Sequence, residues 1–143
     1  MYDFLLFVHV LFAFTMVAAV TLFWALVVTS RPGRQSLTPA TAMWLGRAGA
    51  ITVGIGSLGA LIFGVWLAIY VDGYELWDGW ILASLVFWAI AVPVGARGGK
   101  YFERAAREPE NAVALRRTGL MLQTTASAAL LLLLVMMIFK PGA

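Results

Sequence analysis

The sequence predicts an all-α protein, a four-helix transmembrane bundle with both termini outside the membrane. Three observations support this prediction: the composition, four long uncharged runs, and the distribution of the basic residues. Of the 143 residues, 62% are hydrophobic and 12% are charged, and the mean hydropathy is +0.91. Soluble domains carry about 25% charged residues, so the composition favours an integral membrane protein.

The uncharged runs cover residues 4–30, 48–71, 79–96 and 118–139. Each reaches the length of about 18 residues that a helix needs to cross a bilayer. They predict spans at about 4–29, 44–71, 78–96 and 117–139. Because these spans use most of the chain, we expect one membrane domain over residues 1–143 and no separate soluble domain.

The basic residues predict the orientation. Cytoplasmic loops of membrane proteins carry an excess of Lys and Arg, and nine of the ten basic residues here fall in the first and third connections, with only Lys140 elsewhere. This clustering argues against nucleic acid as a partner and favours the lipid bilayer. The nine residues are Arg31, Arg34, Arg47, Arg97, Lys100, Arg104, Arg107, Arg116 and Arg117.

Turn and capping residues predict where the helices begin and end. Helix 1 ends before the turn-forming residues 31–34, and Thr38 followed by Pro39 is typical of a helix start. Pro93 predicts a bend or an early end in helix 3, and the polar residues 100–108 predict a short helical extension. Pro109 predicts a break before helix 4, which we expect to end near Phe139. The glycines at positions 95, 98 and 99 predict a loose exit from helix 3.

Helix 2 sorts its residues by size. At 100° per residue, small residues fall on one side and branched aliphatic residues on the other. In lipid, close packing of small residues supplies much of the attraction between helices, so the small side is the predicted packing face and the branched side is predicted to face lipid. The small side carries Gly49, Val53, Gly56, Ala60 and Gly64, and the branched side carries Ile51, Ile55, Leu58, Ile62, Val65 and Ile69.

His9 is the only histidine, and it lies inside the first span. An ionisable residue within a span is a functional hypothesis by default. One interpretation makes His9 a haem b or copper ligand, or a proton-relay group. The other makes it a neutral structural residue that hydrogen bonds to a neighbouring helix, with Ser84 at a suitable depth. Met137 is a candidate second ligand, since histidine with methionine suits both haem and copper, although methionine is also a common packing residue.

Other polar residues in the spans predict packing and not catalysis. Gln123 and Ser127 share a face of helix 4 with Gly119 and Ala126, which favours interhelical hydrogen bonding of about 0.6 kcal/mol per bond. The low-complexity run 128–135 is predicted to face lipid. No catalytic residue is predicted, and the chain has no cysteine, which excludes disulfides and thiolate metal sites.

Short motifs resemble those of a family of small bacterial integral membrane proteins of unknown function. They are the start, residues 2–10 with His9 early in helix 1, the Trp77-Asp78-Gly79-Trp80 segment, the arginine pair before helix 4, and the ending, residues 136–142. The first helix is also similar to the membrane domain of copper-resistance proteins and to the haem-binding, four-helix type of protoporphyrinogen oxidase. The resemblance implies a multi-pass protein of the bacterial cytoplasmic membrane, with His9 as the residue that carries over as a ligand.

Three functional classes remain open at this point. The first is a cofactor-binding redox protein that uses His9. The second is a non-enzymatic membrane component that forms a homo-oligomer or supports a membrane-protein partner. The third is a small transporter or copper-handling protein. The sequence favours the second class, because one histidine cannot form a bis-histidine site within one chain.

Overall fold

The computed structural model describes residues 1–29, 39–71 and 75–141, and all regular secondary structure in these ranges is helical. Each of the four long helices contains a segment that is long and apolar enough to cross a membrane. The predicted all-α class with four spanning helices is therefore confirmed. The helices are α1 (Tyr2–Thr29), α2 (Pro39–Tyr70), α3 (Gly79–Arg107) and α4 (Ala112–Phe139), and a 3₁₀ turn, Pro109–Asn111, precedes α4.

The helix ends agree with most of the predicted signals. Helix α2 begins at Pro39 and the chain breaks at Pro109 as expected, whereas Thr38 and residues 31–34 lie outside the described residues. Helix α4 ends at Phe139, where Lys140 adopts a left-handed conformation with φ of 40°. The Lys140 amide donates to the carbonyl of Met136 at 3.0 Å, and this bond satisfies one of the carbonyls at the end of the helix.

Of the two alternatives predicted at Pro93, a bend or an early end, the early end is wrong, because α3 continues through Pro93 to Arg107. The predicted helical extension over residues 100–108 is confirmed as far as Arg107. The uncharged run marks the part of the helix that suits a bilayer, and the polar residues that follow extend the same helix. Two pairs at i,i+4 support this extension: Arg107 with Glu103 at 2.6 Å and Arg104 with Glu108 at 3.5 Å. Both pairs are exposed, so each contributes about 0.3–0.5 kcal/mol.

The chain forms two compact units, Asp3–Phe63 and Gly64–Ala143 together with Met1–Tyr2. We call them the N-terminal unit and the C-terminal unit. The N-terminal unit pairs α1 with most of α2. A methyl group added at Gly56 would lie 3.0 Å from the Met16 nitrogen and 3.1 Å from the Phe12 carbonyl oxygen, and one added at Gly59 would overlap the Phe12 ring. The ring of Phe12 also stacks on Phe63, with 5.7 Å between centroids. Glycine therefore lets the two backbones approach closely at this level.

The predicted lipid-facing side of α2 is largely confirmed, whereas on the predicted packing side Gly56 is buried and Gly49, Val53, Ala60 and Gly64 are only partly buried. The buried residues of α2 are small, and they are Gly56, Ser57, Gly59 and Ala68. The branched residues are exposed by half or more at Ile51, Ile55, Leu58, Ile62 and Ile69. Val65 differs from the expectation, since it is only partly exposed.

In the C-terminal unit α3 and α4 pack as an antiparallel pair. A methyl group added at Gly98 would lie 3.3 Å from the Gly119 carbonyl oxygen, and one added at Gly119 would lie 3.3 Å from the Gly98 carbonyl oxygen. Phe102 covers Gly119 on the same face, and Gly95 faces Ala126. Gly95 and Gly98 thus form the packing face of α3, which corrects the expectation that they loosen the end of the helix. Toward the opposite end of the pair, Ala68, Trp80 and Ile81 form a buried apolar cluster.

These contacts predict different outcomes for two glycine substitutions in α2. In Gly56→Ala the new methyl group meets main-chain atoms of α1, which cannot rotate away, and overpacking of this kind costs about 1–3 kcal/mol. In Gly54→Ala the new methyl group meets no described atom within 4 Å, and the helix gains about 1 kcal/mol of propensity. We expect Gly56→Ala to lower the melting temperature in detergent and Gly54→Ala to leave it unchanged or raise it. An equal decrease in both variants would contradict the close approach at Gly56.

Candidate functional site

His9 is held by a main-chain group of the neighbouring helix. Its Nδ1 atom lies 2.9 Å from the carbonyl oxygen of Ala60 in α2. A carbonyl oxygen can only accept a hydrogen bond, so Nδ1 carries the proton and donates it. This interaction fixes the tautomer of the neutral ring and leaves the lone pair on Nε2.

The ring belongs to a series of contacts that run along the antiparallel pair α1 and α2. His9 contacts Ala60, Phe12 lies against Gly59 and Phe63, and Met16 lies against Gly56. The spacing of these α1 residues is three to four, as it must be for side chains on one face of a helix. His9 is thus positioned by the same packing that brings the two backbones together.

The prediction that His9 hydrogen bonds to a neighbouring helix is confirmed, but the partner differs from the expected one. The acceptor is the Ala60 carbonyl, whereas the sequence indicated Ser84. The Ser84 hydroxyl donates to the Trp80 carbonyl at 2.7 Å within its own helix. Serine in a helix commonly bonds to the carbonyl four residues earlier, and this local bond uses the hydroxyl proton of Ser84.

A histidine that donates from one ring nitrogen to a carbonyl has the arrangement found in many metal sites. There, the outer hydrogen bond fixes the ring orientation and makes the other nitrogen more basic. His9 has this arrangement through Ala60. Within the described ranges, no three His, Cys, Asp or Glu residues come together in a group that could hold a metal ion. The ring could therefore supply one ligand, and other donors would complete the coordination.

Met137, the candidate second ligand, has a packing role in the structure. Its side chain is partly buried against the cluster of Ala68, Trp80 and Ile81 in the C-terminal unit. A flexible thioether fills such apolar surroundings well. Lys140 lies near the same cluster, with its Nζ atom 5.5 Å from the centroid of the Trp80 ring. The pairing of Met137 with His9 at a metal remains a prediction.

Gln123 lies on the face between α3 and α4, with only 8% of its surface exposed. A methyl group added at Gly98 would lie 3.3 Å from the Oε1 atom of Gln123. Because such a methyl group would replace one Cα hydrogen of Gly98, this hydrogen points toward Oε1. Contacts of this kind between a Cα–H group and an oxygen recur where helices pack closely. Gly119 and Ala126 are buried on the same face as predicted, while Ser127 is only partly buried.

The expectation that residues 128–135 all face lipid is wrong. Ala129 and Leu133 are buried, with 7% and 8% of their surfaces exposed. They continue the face of Gln123 and Ala126 at helical spacing. A run of nearly identical leucines hides this periodicity, because hydrophobicity alone does not distinguish a leucine against protein from a leucine against lipid.

Comparison with known proteins gives no match: no family model, no curated protein and no solved structure is similar to this chain. The functional argument therefore depends on the geometry of the two units.

Proposed function

We propose that this protein is a non-enzymatic, multi-pass component of the bacterial cytoplasmic membrane that works by packing with a second copy of itself. The observation that carries the proposal is an open groove in the N-terminal unit, between α1 and α2. The groove has a volume of about 190 Å³ and an almost entirely apolar lining. The lining residues are small apart from one leucine, and they are Ala18, Ala19, Leu22, Ala48, Gly49 and Thr52.

The groove lies along the small side of α2, at a level where α1 no longer approaches as closely as it does at Gly56. At Gly56 an added methyl group would meet the α1 backbone at 3.0 Å, but at Gly49 it would meet no described atom within 4 Å. Both glycines lie on the small side of α2. The small side of α2 therefore packs closely against α1 at Gly56 and leaves open space at Gly49.

Small residues at the surface of a spanning helix allow another helix to approach closely. Because lipid tails are as apolar as the helices, the attraction arises from close packing and hydrogen bonding and not from hydrophobic burial. A void beside small residues loses dispersion contacts, and a helix seated in the groove would restore them. A second copy is the occupant that needs no other gene product, and homo-oligomers are the commonest assemblies.

The hydroxyl groups in the spans support a packing role over a catalytic one. Thr15 donates to the carbonyl of Leu11, Thr52 to that of Ala48, and Thr124 to that of Leu120, all at 2.8 Å. Each bond stays within one helix and holds the hydroxyl proton. These hydroxyl groups therefore hydrogen bond to backbone carbonyls of their own helices, and the side chains form part of the helix surfaces.

Association should depend on the space at Gly49. In Gly49→Leu a branched side chain fills the groove and prevents the approach of a second helix. Gly54→Leu is the matched control, because it adds the same side chain to the same helix on the exposed side among Ile51 and Ile55. We expect cross-linking in native membranes and sedimentation in detergent to show the oligomer for wild type and Gly54→Leu, and mainly the monomer for Gly49→Leu.

The same experiment can overturn the proposal. A wild-type protein that is monomeric in both measurements would exclude the self-packing role. Equal association of all three proteins would show that the contact lies on another face.

The geometry of His9 favours a second candidate function, the binding of haem b or copper. The ring is anchored through Nδ1 at Ala60, and the lone pair of Nε2 suits an iron or copper centre. His9 would hold such a group and fix its orientation relative to α1, and the bound group would supply the redox chemistry. The resemblance to copper-resistance and haem-binding membrane proteins agrees with this candidate.

Two substitutions of His9 separate the structural role from the ligand role. The amide nitrogen of asparagine lies where Nδ1 lies, so His9→Asn can keep the bond to Ala60 but has no group at Nε2. Glutamine places its amide near Nε2 and loses the Nδ1 position. For a structural histidine, we expect His9→Asn to retain the melting temperature better than His9→Gln, since an interhelical bond contributes about 0.6 kcal/mol. For a ligand, both variants should lose the visible absorption or the copper of the wild type. Equal pigment and metal content in the wild type and in both variants would contradict the ligand hypothesis.

The basic residues support an orientation with both termini outside and the α3–α4 connection in the cytoplasm. A reporter that is active only beyond the membrane should therefore work when fused after residue 143 or before residue 1. A cytoplasm-only reporter should work when inserted at the 3₁₀ turn, Pro109–Asn111. The reverse pattern of activity would show that the orientation is inverted.

A further inference from the structure

Four basic side chains surround the close contact of α3 and α4 at Gly98 and Gly119. They lie within two residues of Gly98 on α3 and within three residues of Gly119 on α4, and all four are exposed. We call them the cation belt: Arg97, Lys100, Arg116 and Arg117.

The antiparallel packing places the cation belt at one height along the helix pair. The mutual contact of Gly98 and Gly119 fixes the register of the two helices. With a rise of about 1.5 Å per residue, the Cα atoms of the four residues fall within about 6 Å along the helix axes. Residues that are far apart in the sequence therefore form one layer of positive charge.

The cation belt differs from the charged residues beyond it. We call the segment from Glu103 to Glu110 the tip. In the tip, Arg104 pairs with Glu108 and Arg107 pairs with Glu103, so its positive charges are compensated. In contrast, no side chain of the cation belt forms an ion pair or a hydrogen bond with a described residue. The uncompensated positive charge of helices α3 and α4 is thus concentrated in the cation belt.

The belt lies at the edge of the apolar part of both helices. On α3 the uncharged run 79–96 ends just before Arg97, and on α4 the run 118–139 begins just after Arg117. These runs are about 27 and 33 Å long at 1.5 Å per residue, close to the hydrocarbon thickness of about 30 Å. A bilayer that covers the apolar runs therefore places its headgroups at the belt, and the tip extends further into water.

We propose that the cation belt is a binding site for the phosphate groups of anionic phospholipids, and that the tip takes no part in it. The arginine guanidinium matches a phosphate with two parallel hydrogen bonds, and Lys100 adds a point charge in the same layer. Each cation near an anionic surface contributes to the attraction, which decreases within a Debye length. This site does not depend on the groove between α1 and α2, so the proposal stands apart from the proposed function.

The test compares two double variants that remove the same charge. Arg116→Gln with Arg117→Gln takes two cations from the belt, and Arg104→Gln with Arg107→Gln takes two from the tip. Purified proteins in a neutral detergent are titrated with phosphatidylglycerol and, separately, with phosphatidylcholine. Retained lipid is counted by native mass spectrometry, and the melting temperature is followed in parallel. Circular dichroism in detergent without lipid checks that both variants keep the helical content of the wild type.

We expect the wild type to retain phosphatidylglycerol in preference to phosphatidylcholine and to melt higher in its presence. One cation at an anionic surface corresponds to about a fivefold change in affinity, so the belt variant should bind phosphatidylglycerol about 25-fold more weakly. The tip variant should lose less affinity than the belt variant, because its arginines lie further from the headgroups, where the attraction has decreased. Equal losses in both variants would show a general charge effect and overturn the site, as would equal retention of the two lipids by the wild type.

Discussion

The close approach of main chains at glycine is the constraint on which both units depend. In lipid, helices gain little from hydrophobic burial, so they associate where their surfaces fit closely. At Gly56 the backbone of α1 lies where a side chain would otherwise be, and at Gly98 and Gly119 two backbones meet reciprocally. Other features follow from these contacts, including the position of His9 beside Ala60 and the common height of the cation belt. A side chain at any of these glycines would push the two helices of its unit apart, and would thereby displace His9 or the cation belt.

The fold was predictable because its signals are long and simple. Uncharged runs mark the spans, and the sorting of α2 by size gives its packing face without reference to any other helix. At Pro93 the early end was the wrong one of two alternatives, because helix α3 continues to Arg107. The polar residues 100–108 indicated this extension, and two local ion pairs stabilise it. The pattern of buried residues in α4 was partly hidden by the run of similar apolar residues, since Leu133 is buried and its neighbour Leu132 is not.

The candidate site was predictable in its residue but not in its surroundings. A single histidine in a span is conspicuous in the sequence, whereas its partner is a backbone carbonyl, and every residue has one. What selects Ala60 is the register of α1 against α2, which arises from the contacts of Phe12 and Met16 with glycines. The cation belt shows the same limitation. The sequence gives the excess of positive charge and the i,i+4 spacing of Arg104 and Arg107 to their glutamates, but only the register of α3 against α4 brings the four cations of the belt to one height.

Helix α3 has no break between its apolar part and its charged end, and this continuity has a mechanical consequence. The segment within the bilayer and the segment beyond it belong to one continuous helix, Gly79–Arg107, about 43 Å long. A tilt of about 10° in such a rod displaces one end relative to the other by about 7 Å. Between Trp80 and the arginines at positions 104 and 107 the helix is interrupted by no loop, although Pro93 removes one backbone hydrogen bond on the way. The helix can transmit a change on one side of the membrane to the surface on the other side.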